Sequence, residues 1–201
     1  MKQSVSDIAE RVVRSASALL SEKPLVIVAI DGRCASGKTT LSRILAERLS
    51  ATVVHMDDFF LPPARRNEET RALLGANAEI DRFLSEVLLP LSRMEMADYR
   101  PFSCKRGEYL TRVPVSPRGV VIVEGSYSCH PLLRRYYDLT VFLTVLPEEQ
   151  LRRLEERGGR ACLNAFRERW IPLEEAYFSR YAIADACDIV AEGFITVDNR
   201  L

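Results

Sequence analysis

The chain has 201 residues, with 28 Lys and Arg against 28 Asp and Glu, so its formal net charge is zero. At 47% apolar and 28% charged residues it reads as a globular chain long enough to bury a core. Neutrality removes any bulk electrostatic hold on nucleic acid or anionic membrane, and no apolar run approaches the roughly 20 residues that span a bilayer.

The amino terminus, Met1 to Asp7, lacks an apolar signal core, so the expectation is a cytoplasmic chain. Five scattered cysteines, Cys34, Cys104, Cys129, Cys162 and Cys187, contain no C-x-x-C pair and read as reduced thiols rather than a disulfide or zinc framework. His55 and His130 have no metal-ligand spacing and read as structural. There is no internal repeat. The expectation is one domain over residues 1–201, with an insertion at 61–115 and a small lid at 152–169.

In chain order, Val5, Ile8, Val12, Val13, Leu19 and Leu20 recur at helical spacing, predicting an amphipathic helix over 5–20. Leu25 to Ile30 is a Val- and Ile-rich strand that breaks at Asp31-Gly32. A small polar loop then leads into a helix beginning near Lys38, with Leu41, Ile44, Leu45 and Leu49 on one stripe. Gly32, Gly37, Lys38 and Thr39 satisfy G-x-x-x-x-G-K-[ST] between a strand and a helix, the context in which that pattern cradles phosphate.

Each residue type in the loop has a physical reason. The two glycines let consecutive backbone N–H groups converge on phosphate oxygens, and the helix adds its unsatisfied N–H groups and positive dipole end. Lys38 supplies a mobile cation for β- and γ-phosphates, and the Thr39 hydroxyl suits Mg²⁺. Cys34, inside the loop, could be open to alkylation but has no catalytic task.

A second strand over about 52–56 delivers Asp57-Asp58-Phe59-Phe60 to its carboxyl end, the edge of an open α/β sheet where ligands sit. Asp57 could accept an acceptor hydroxyl's proton, or orient that hydroxyl while touching the metal's water shell. Asp58 should point elsewhere, because neighbours in an extended segment face opposite sides. Phe59 and Phe60 suit either the core or stacking against a ring.

Residues 61–80, with Pro62-Pro63 and Gly75, read as a substrate-facing loop, and 81–93 as a helix that Pro90 should end or bend. Residues 96–115 suggest a hairpin or covering loop. Two buried strands follow at 120–123 and 139–145. Glu124, at the end of the first, sits where a metal-assisting carboxylate is expected, the alternative being a helix-capping acid. A helix over 147–157 should break at Gly158-Gly159. Arginines crowd 152–169; most can pair with neighbouring glutamates on a solvated face, and a lid needs only one or two. A helix over roughly 173–185 precedes an apolar segment at 188–191 and a strand at 194–197.

Gly32-Arg33-Cys34-Ala35-Ser36-Gly37-Lys38-Thr39-Thr40, then Met56-Asp57-Asp58-Phe59-Phe60, then Val121-Ile122-Val123-Glu124-Gly125, resemble in this order the uridine kinase and phosphoribulokinase family of P-loop kinases. The resemblance covers roughly residues 24–170. It implies an α/β P-loop NTPase fold with a five-stranded parallel sheet flanked by helices, ATP and Mg²⁺ as cosubstrates, and phosphorylation of a primary hydroxyl.

Carried onto this chain, the resemblance makes Asp57 the catalytic base alongside Lys38. The loop residues 32–40 bind nucleotide, Thr39, Asp57 and Glu124 act on the metal, and Arg153 and Arg157 become lid contacts to ATP phosphates. The chain departs from the pattern at Phe60, which replaces a Tyr, and in lacking a clear Tyr-Asp-Phe…His acceptor segment. Its nearest stretch, residues 99–105, offers Tyr99, Arg100 and Lys105 beside Phe60 as acceptor contacts.

The expected acceptor is a nucleoside, with pantothenate, a sugar phosphate or nicotinamide riboside as alternatives within kinases. A regulatory NTPase should carry a guanine-reading Asn-Lys-x-Asp or a transporter-ATPase signature, and neither is present. A binding module that has lost catalysis would not need Lys38, Thr39, Asp57 and Glu124 together.

Overall fold

The computed structural model describes residues 4–62, 65 and 78–192. Helix α1, Val5–Leu20, starts where Ser4 and Asp7 form a capping box: the Asp7 N–H donates to Ser4 Oγ at 3.1 Å and the Ser4 N–H to Asp7 Oδ2 at 2.9 Å. Strand β1, Leu25–Gly32, follows, then the loop and helix α2, Lys38–Leu49. Strand β2, Thr52–His55, runs into a 3₁₀ turn, Met56–Phe59.

Helix α3 comprises Ile80–Phe83, a π turn at Leu84–Leu88, and Leu89–Ser92. The sequence predicts that Pro90 ends or bends this helix, yet helical structure continues to Ser92. Pro90 falls in the first turn of its last segment, where the missing N–H costs little, and the wider π turn precedes it.

Residues 97–115 form two small antiparallel pairs, one nested between the strands of the other. β3 (Ala97–Tyr99) pairs with β6 (Val113–Val115), and β4 (Phe102–Ser103) with β5 (Glu108–Tyr109). Next come β7 (Gly119–Glu124), β8 (Leu139–Thr144) and helix α4 (Pro147–Ala165). A π turn, Phe166–Trp170, then helix α5 (Ile171–Tyr181) and β9 (Ile189–Glu192) complete the described chain. The predicted break at Gly158-Gly159 is a kink: Gly159 has φ 70° and ψ −173°, and helix resumes beyond it. The strand expected at 194–197 lies outside the described residues.

Five strands form one sheet in the order β2-β7-β1-β8-β9, with every pairing parallel. Alternation along β1 divides the core in two. Val26, Val28 and Ile30 face Ile8 and Val12 of α1 and Leu41 and Leu45 of α2. Leu25, Ile27 and Ala29 belong to the opposite layer, with Phe83, Leu88 and Leu91 of α3 and Tyr177 and Phe178 of α5. Covered on both faces, β1 is buried at all eight positions. The carboxyl ends of β2, β7 and β1 converge: His55 and Ile30 are both register partners of Glu124. Among the described residues, no helix is long and apolar enough to cross a membrane.

Candidate active site

At the end of β1 the backbone turns through Gly32 at φ 135°. A Cβ there would lie 2.0 Å from the Leu143 carbonyl oxygen, so strand β8 allows only glycine. The loop continues through Ala35 at φ 58° and Gly37 at φ 100° into α2. Gly37 caps α2 without a side-chain acceptor, which leaves the first N–H groups of the helix free of any side-chain cap. Lys38, 9% exposed, folds back across the loop and donates to the carbonyls of Gly32 at 2.6 Å and Arg33 at 3.0 Å.

The loop forms one wall of a cavity of about 540 Å³, to which Ala35 and Gly37 to Thr40 contribute. Glu124, 5% exposed, closes its floor; its two carboxylate oxygens lie 3.5 and 3.4 Å from Thr39 Oγ1. His55 Nδ1 is 2.6 Å from Glu124 Oε1, and this bond raises the imidazole's pKa above its usual value against the opposing effect of burial. His55 is thus part of the site's edge, which its sequence position did not signal.

Asp57 also faces the cavity. Its side chain is exposed at the cavity, and the surrounding walls still raise its pKa, desolvation first and the Glu124 charge second. Gly125, at φ 135°, lets β7 meet the Asp57 turn: an added Cβ would stand 3.0 Å from Met56 Cβ and 3.5 Å from Asp57 Oδ1. Asp58 is engaged elsewhere, accepting a hydrogen bond from Tyr99 OH at 3.0 Å. The predicted reason for this divergence was strand alternation. The two residues lie instead on a 3₁₀ turn, whose tighter winding sends them apart.

Among the described residues no three His, Cys, Asp or Glu side chains cluster as a metal cage. Thr39, Asp57 and Glu124 are all hard oxygen donors beside a phosphate cradle, and this set suits Mg²⁺, which takes a few protein ligands and completes its shell from phosphate and water.

Sequence reasoning missed how the loop is held. Glu174 of α5, 5% exposed, accepts from the Cys34 N–H at 2.9 Å and from Ser126 Oγ at 2.7 Å. Glu175 pairs with Arg33 through two hydrogen bonds of 2.5 and 2.8 Å, and Arg33 also donates to Thr144. Tyr177 OH donates to Asp31 Oδ2 at 3.0 Å. The fully buried Asp31 also accepts from the N–H groups of Gly32 at 2.7 Å and Cys129 at 2.9 Å, and burial pushes its pKa up to about 6.

Several predicted residues therefore take other positions. The Arg33 guanidinium turns away from the cavity toward Glu175, leaving its carbonyl to hold Lys38. Ser36 is 1% exposed and its buried hydroxyl has no hydrogen-bond partner among the described residues. Cys34 does line the cavity, but burial, with the Glu174 charge second, pushes its pKa up to about 12, which disfavours the alkylation-prone thiolate.

Arg153 and Arg157 do line the cavity, the first donating to the Ala35 carbonyl at 3.0 Å, the second standing 5.3 Å from the Phe166 ring centre. Phe60 lines it too, whereas Phe59 is fully buried in the core and stacks on Tyr99. Tyr99 is 2% exposed beneath the site. Arg100 donates to the Leu110 carbonyl at 3.1 Å and borders a separate depression, and Lys105 is exposed beside the cavity-lining Cys104. Tyr127, Phe166 and Trp170 are cavity residues with no sequence signal.

A parallel sheet with this strand order, a glycine-bounded loop and a lysine-threonine helix start define a nucleotide-binding, P-loop kinase-like protein. The chain belongs to the P-loop family described as an AAA domain, whose model matches residues 28–164. Its fold is similar to that of a possible uridine kinase from Bacillus stearothermophilus, at 20% identity and TM-score 0.71, covering 93% of this chain and 98% of that one. A candidate fructose transport system kinase from Silicibacter sp. TM1040 is similar at 24% identity and TM-score 0.68, covering 94% and 98%. A cytidylate kinase from Pyrobaculum arsenaticum is 25% identical over 148 residues, 72% of this chain and 67% of the relative. The uridine kinase-like P-loop kinases anticipated from the motifs are thus among the fold's relatives.

Proposed function

We propose that this chain is an ATP- and Mg²⁺-dependent kinase that transfers the γ-phosphoryl group to a hydroxyl of a nucleoside or a similarly sized sugar-containing alcohol. The observation that carries this reading is that Asp57 shares one cavity with the phosphate loop, Thr39 and Glu124. A switch needs the loop and the metal-assisting acid, but it has no use for a desolvated carboxylate on the acceptor side. The relatives named as a possible uridine kinase, a fructose transport system kinase and a cytidylate kinase support phosphoryl transfer to a small molecule.

In this reading Lys38 leaves the Gly32 and Arg33 carbonyls and reaches the β- and γ-phosphates. The loop and α2 N–H groups take the phosphate oxygens. Thr39 and Glu124 would hold Mg²⁺, which when bound would neutralise charge on the transferring group. Asp57 accepts the acceptor hydroxyl's proton, and its raised pKa makes it a stronger base than a surface carboxylate. Residues 152–169 act as the lid, with Arg153 and Arg157 on the phosphates and Phe166 excluding water. The insertion at 61–115, of which 63–64 and 66–77 lie outside the described residues, supplies the acceptor side, with Phe60 against the acceptor's ring.

The test is ADP release with Mg²⁺-ATP across nucleosides, pyrimidine nucleotides, sugars and pantothenate, with product mass confirmed. One acceptor should stimulate release, and Asp57→Asn should lose about 10²-fold or more of that rate while still binding ATP. Acceptor-independent ADP release, or an Asp57→Asn variant as active as the parent, would overturn the reading.

A further inference from the structure

Two thiols 58 positions apart in sequence meet behind the phosphate loop. Cys129 lies in the turns that leave β7 and Cys187 stands just before β9; their sulfurs are 3.8 Å apart. The site described above uses neither. Cys129 is fully buried and Cys187 is partly exposed. The buried Tyr137 hydroxyl, which has no hydrogen-bond partner among the described residues, feels both Cys129 and Asp31 electrostatically.

We propose that Cys129 and Cys187 form a reversible disulfide that couples oxidation to the shape of the phosphate loop. A disulfide requires sulfurs about 2.05 Å apart, so closure takes roughly 1.8 Å of approach. Cys187 is poorly placed to move. Its neighbour Asp188 is clamped to the start of β8, its carboxylate accepting from the Thr140 N–H at 2.8 Å and Oγ1 at 2.7 Å, and its N–H donating to Thr140 Oγ1 at 3.0 Å.

Cys129 must supply most of the displacement, and its N–H is one of the three donors that hold Asp31. Asp31 in turn accepts from the Gly32 N–H at the first residue of the loop. The same segment carries Ser126, hydrogen-bonded to Glu174, which holds the Cys34 N–H. Moving Cys129 therefore pulls on both inner anchors of the loop.

The oxidant is a hydroperoxide. Cys187, more exposed and the thiol whose pKa is lowered by the Cys129 hydrogen bond, reacts first as the thiolate. Its sulfur attacks a peroxide oxygen, the O–O bond breaks, and the departing hydroxide takes a proton to leave as water, giving a sulfenic acid. The Cys129 sulfur then attacks the Cys187 sulfur; the S–O bond breaks and hydroxide leaves as water with the Cys129 proton. Two thiols lose two electrons and two protons, and one hydrogen peroxide becomes two waters.

The experiment uses the full chain with Cys104→Ser, which removes an exposed thiol that lines the cavity, compared with the same chain also carrying Cys187→Ser. Each is treated with hydrogen peroxide, mapped by mass spectrometry, and titrated with a fluorescent ATP analogue, with and without dithiothreitol. A Cys129–Cys187 cross-link in the first protein only, with at least tenfold weaker nucleotide binding that dithiothreitol restores, supports the proposal. Peroxide uptake without that cross-link overturns the disulfide. A cross-link that leaves affinity within twofold overturns the coupling. The readout needs no phosphate acceptor, so a failed kinase assay leaves this test standing.

Discussion

Replacing Gly32 by Ala tests whether the start of the phosphate loop is dictated by the neighbouring strand. The new Cβ would sit 2.0 Å from Leu143 O, 2.7 Å from Leu143 C and 2.7 Å from Leu143 N, all backbone atoms that cannot rotate aside. Relief to ordinary contact at 3.4 Å means parting β1 from β8 by more than an ångström, just where the Arg33 N–H donates to Leu143 O at 3.0 Å.

Three costs add. Holding alanine near φ 135° costs about 1–2 kcal/mol, overpacking about 1–3 kcal/mol, and the weakened hydrogen bond about 1 kcal/mol. A total of about 3–6 kcal/mol is a large share of a typical domain's stability. For a chain of this length it corresponds to a fall in Tm of about 6–24 °C. Urea and thermal denaturation followed by circular dichroism give the stability, and titration with a fluorescent ATP analogue gives the binding, which should weaken in whatever fraction stays folded. A variant within about 1 kcal/mol of the parent would show that the strand end yields to a methyl group, and the steric argument would fail.

Other perturbations separate the charges around the loop. Tyr177→Phe removes a donor from buried Asp31 and should cost about 1–2 kcal/mol at pH 8. Because the folded-state pKa of Asp31, about 6, is raised above its ordinary 3.8, ionising it opposes folding: its contribution is fully present below pH 4 and lost as pH rises through 6. The Tyr177→Phe penalty should accordingly shrink at pH 5, where Asp31 is largely protonated; equal penalties at pH 5 and 8 in urea melts would contradict this.

His55, raised by Glu124, should titrate above 6.5 by NMR in the nucleotide-free protein, and Glu124→Gln should lower that midpoint. Its contribution to stability is present below pH 6.5 and lost as pH rises through the folded-state value. An unchanged midpoint in Glu124→Gln would show that the 2.6 Å contact does not govern the ring's charge.

Much of this architecture is legible before folding because its causes are local. The strand-loop-helix of residues 25–49 follows from a β-branched run, two glycines at positive φ, and a single apolar stripe. The capping box at Ser4 and Asp7 starts α1 for equally local reasons. Parallel strands β7 and β8 reveal themselves as continuous apolar runs, because a sheet covered on both faces buries alternate residues equally. Glu124 and Asp57 stand out as acids at the ends of such strands. Where local reading erred, a local detail was misjudged: residues 57 and 58 wind as a 3₁₀ turn, and Pro90 sits in a helical first turn.

The sequence by itself determined strands β1, β2, β7 and β8, the phosphate loop and the acids at its edge, whereas β9 reads there only as an apolar segment. Each depends on neighbours within a few positions, where backbone sterics and apolar periodicity act. Only the tertiary structure decided that Glu174, Glu175 and Tyr177 hold the loop from α5, that Arg33 faces away from the cavity, and that Cys129 meets Cys187. Those contacts span 58 to 146 positions of chain. Such contacts form when the whole sheet closes and buried carboxylates and thiols must find partners, and no short-range pattern records which partner they find.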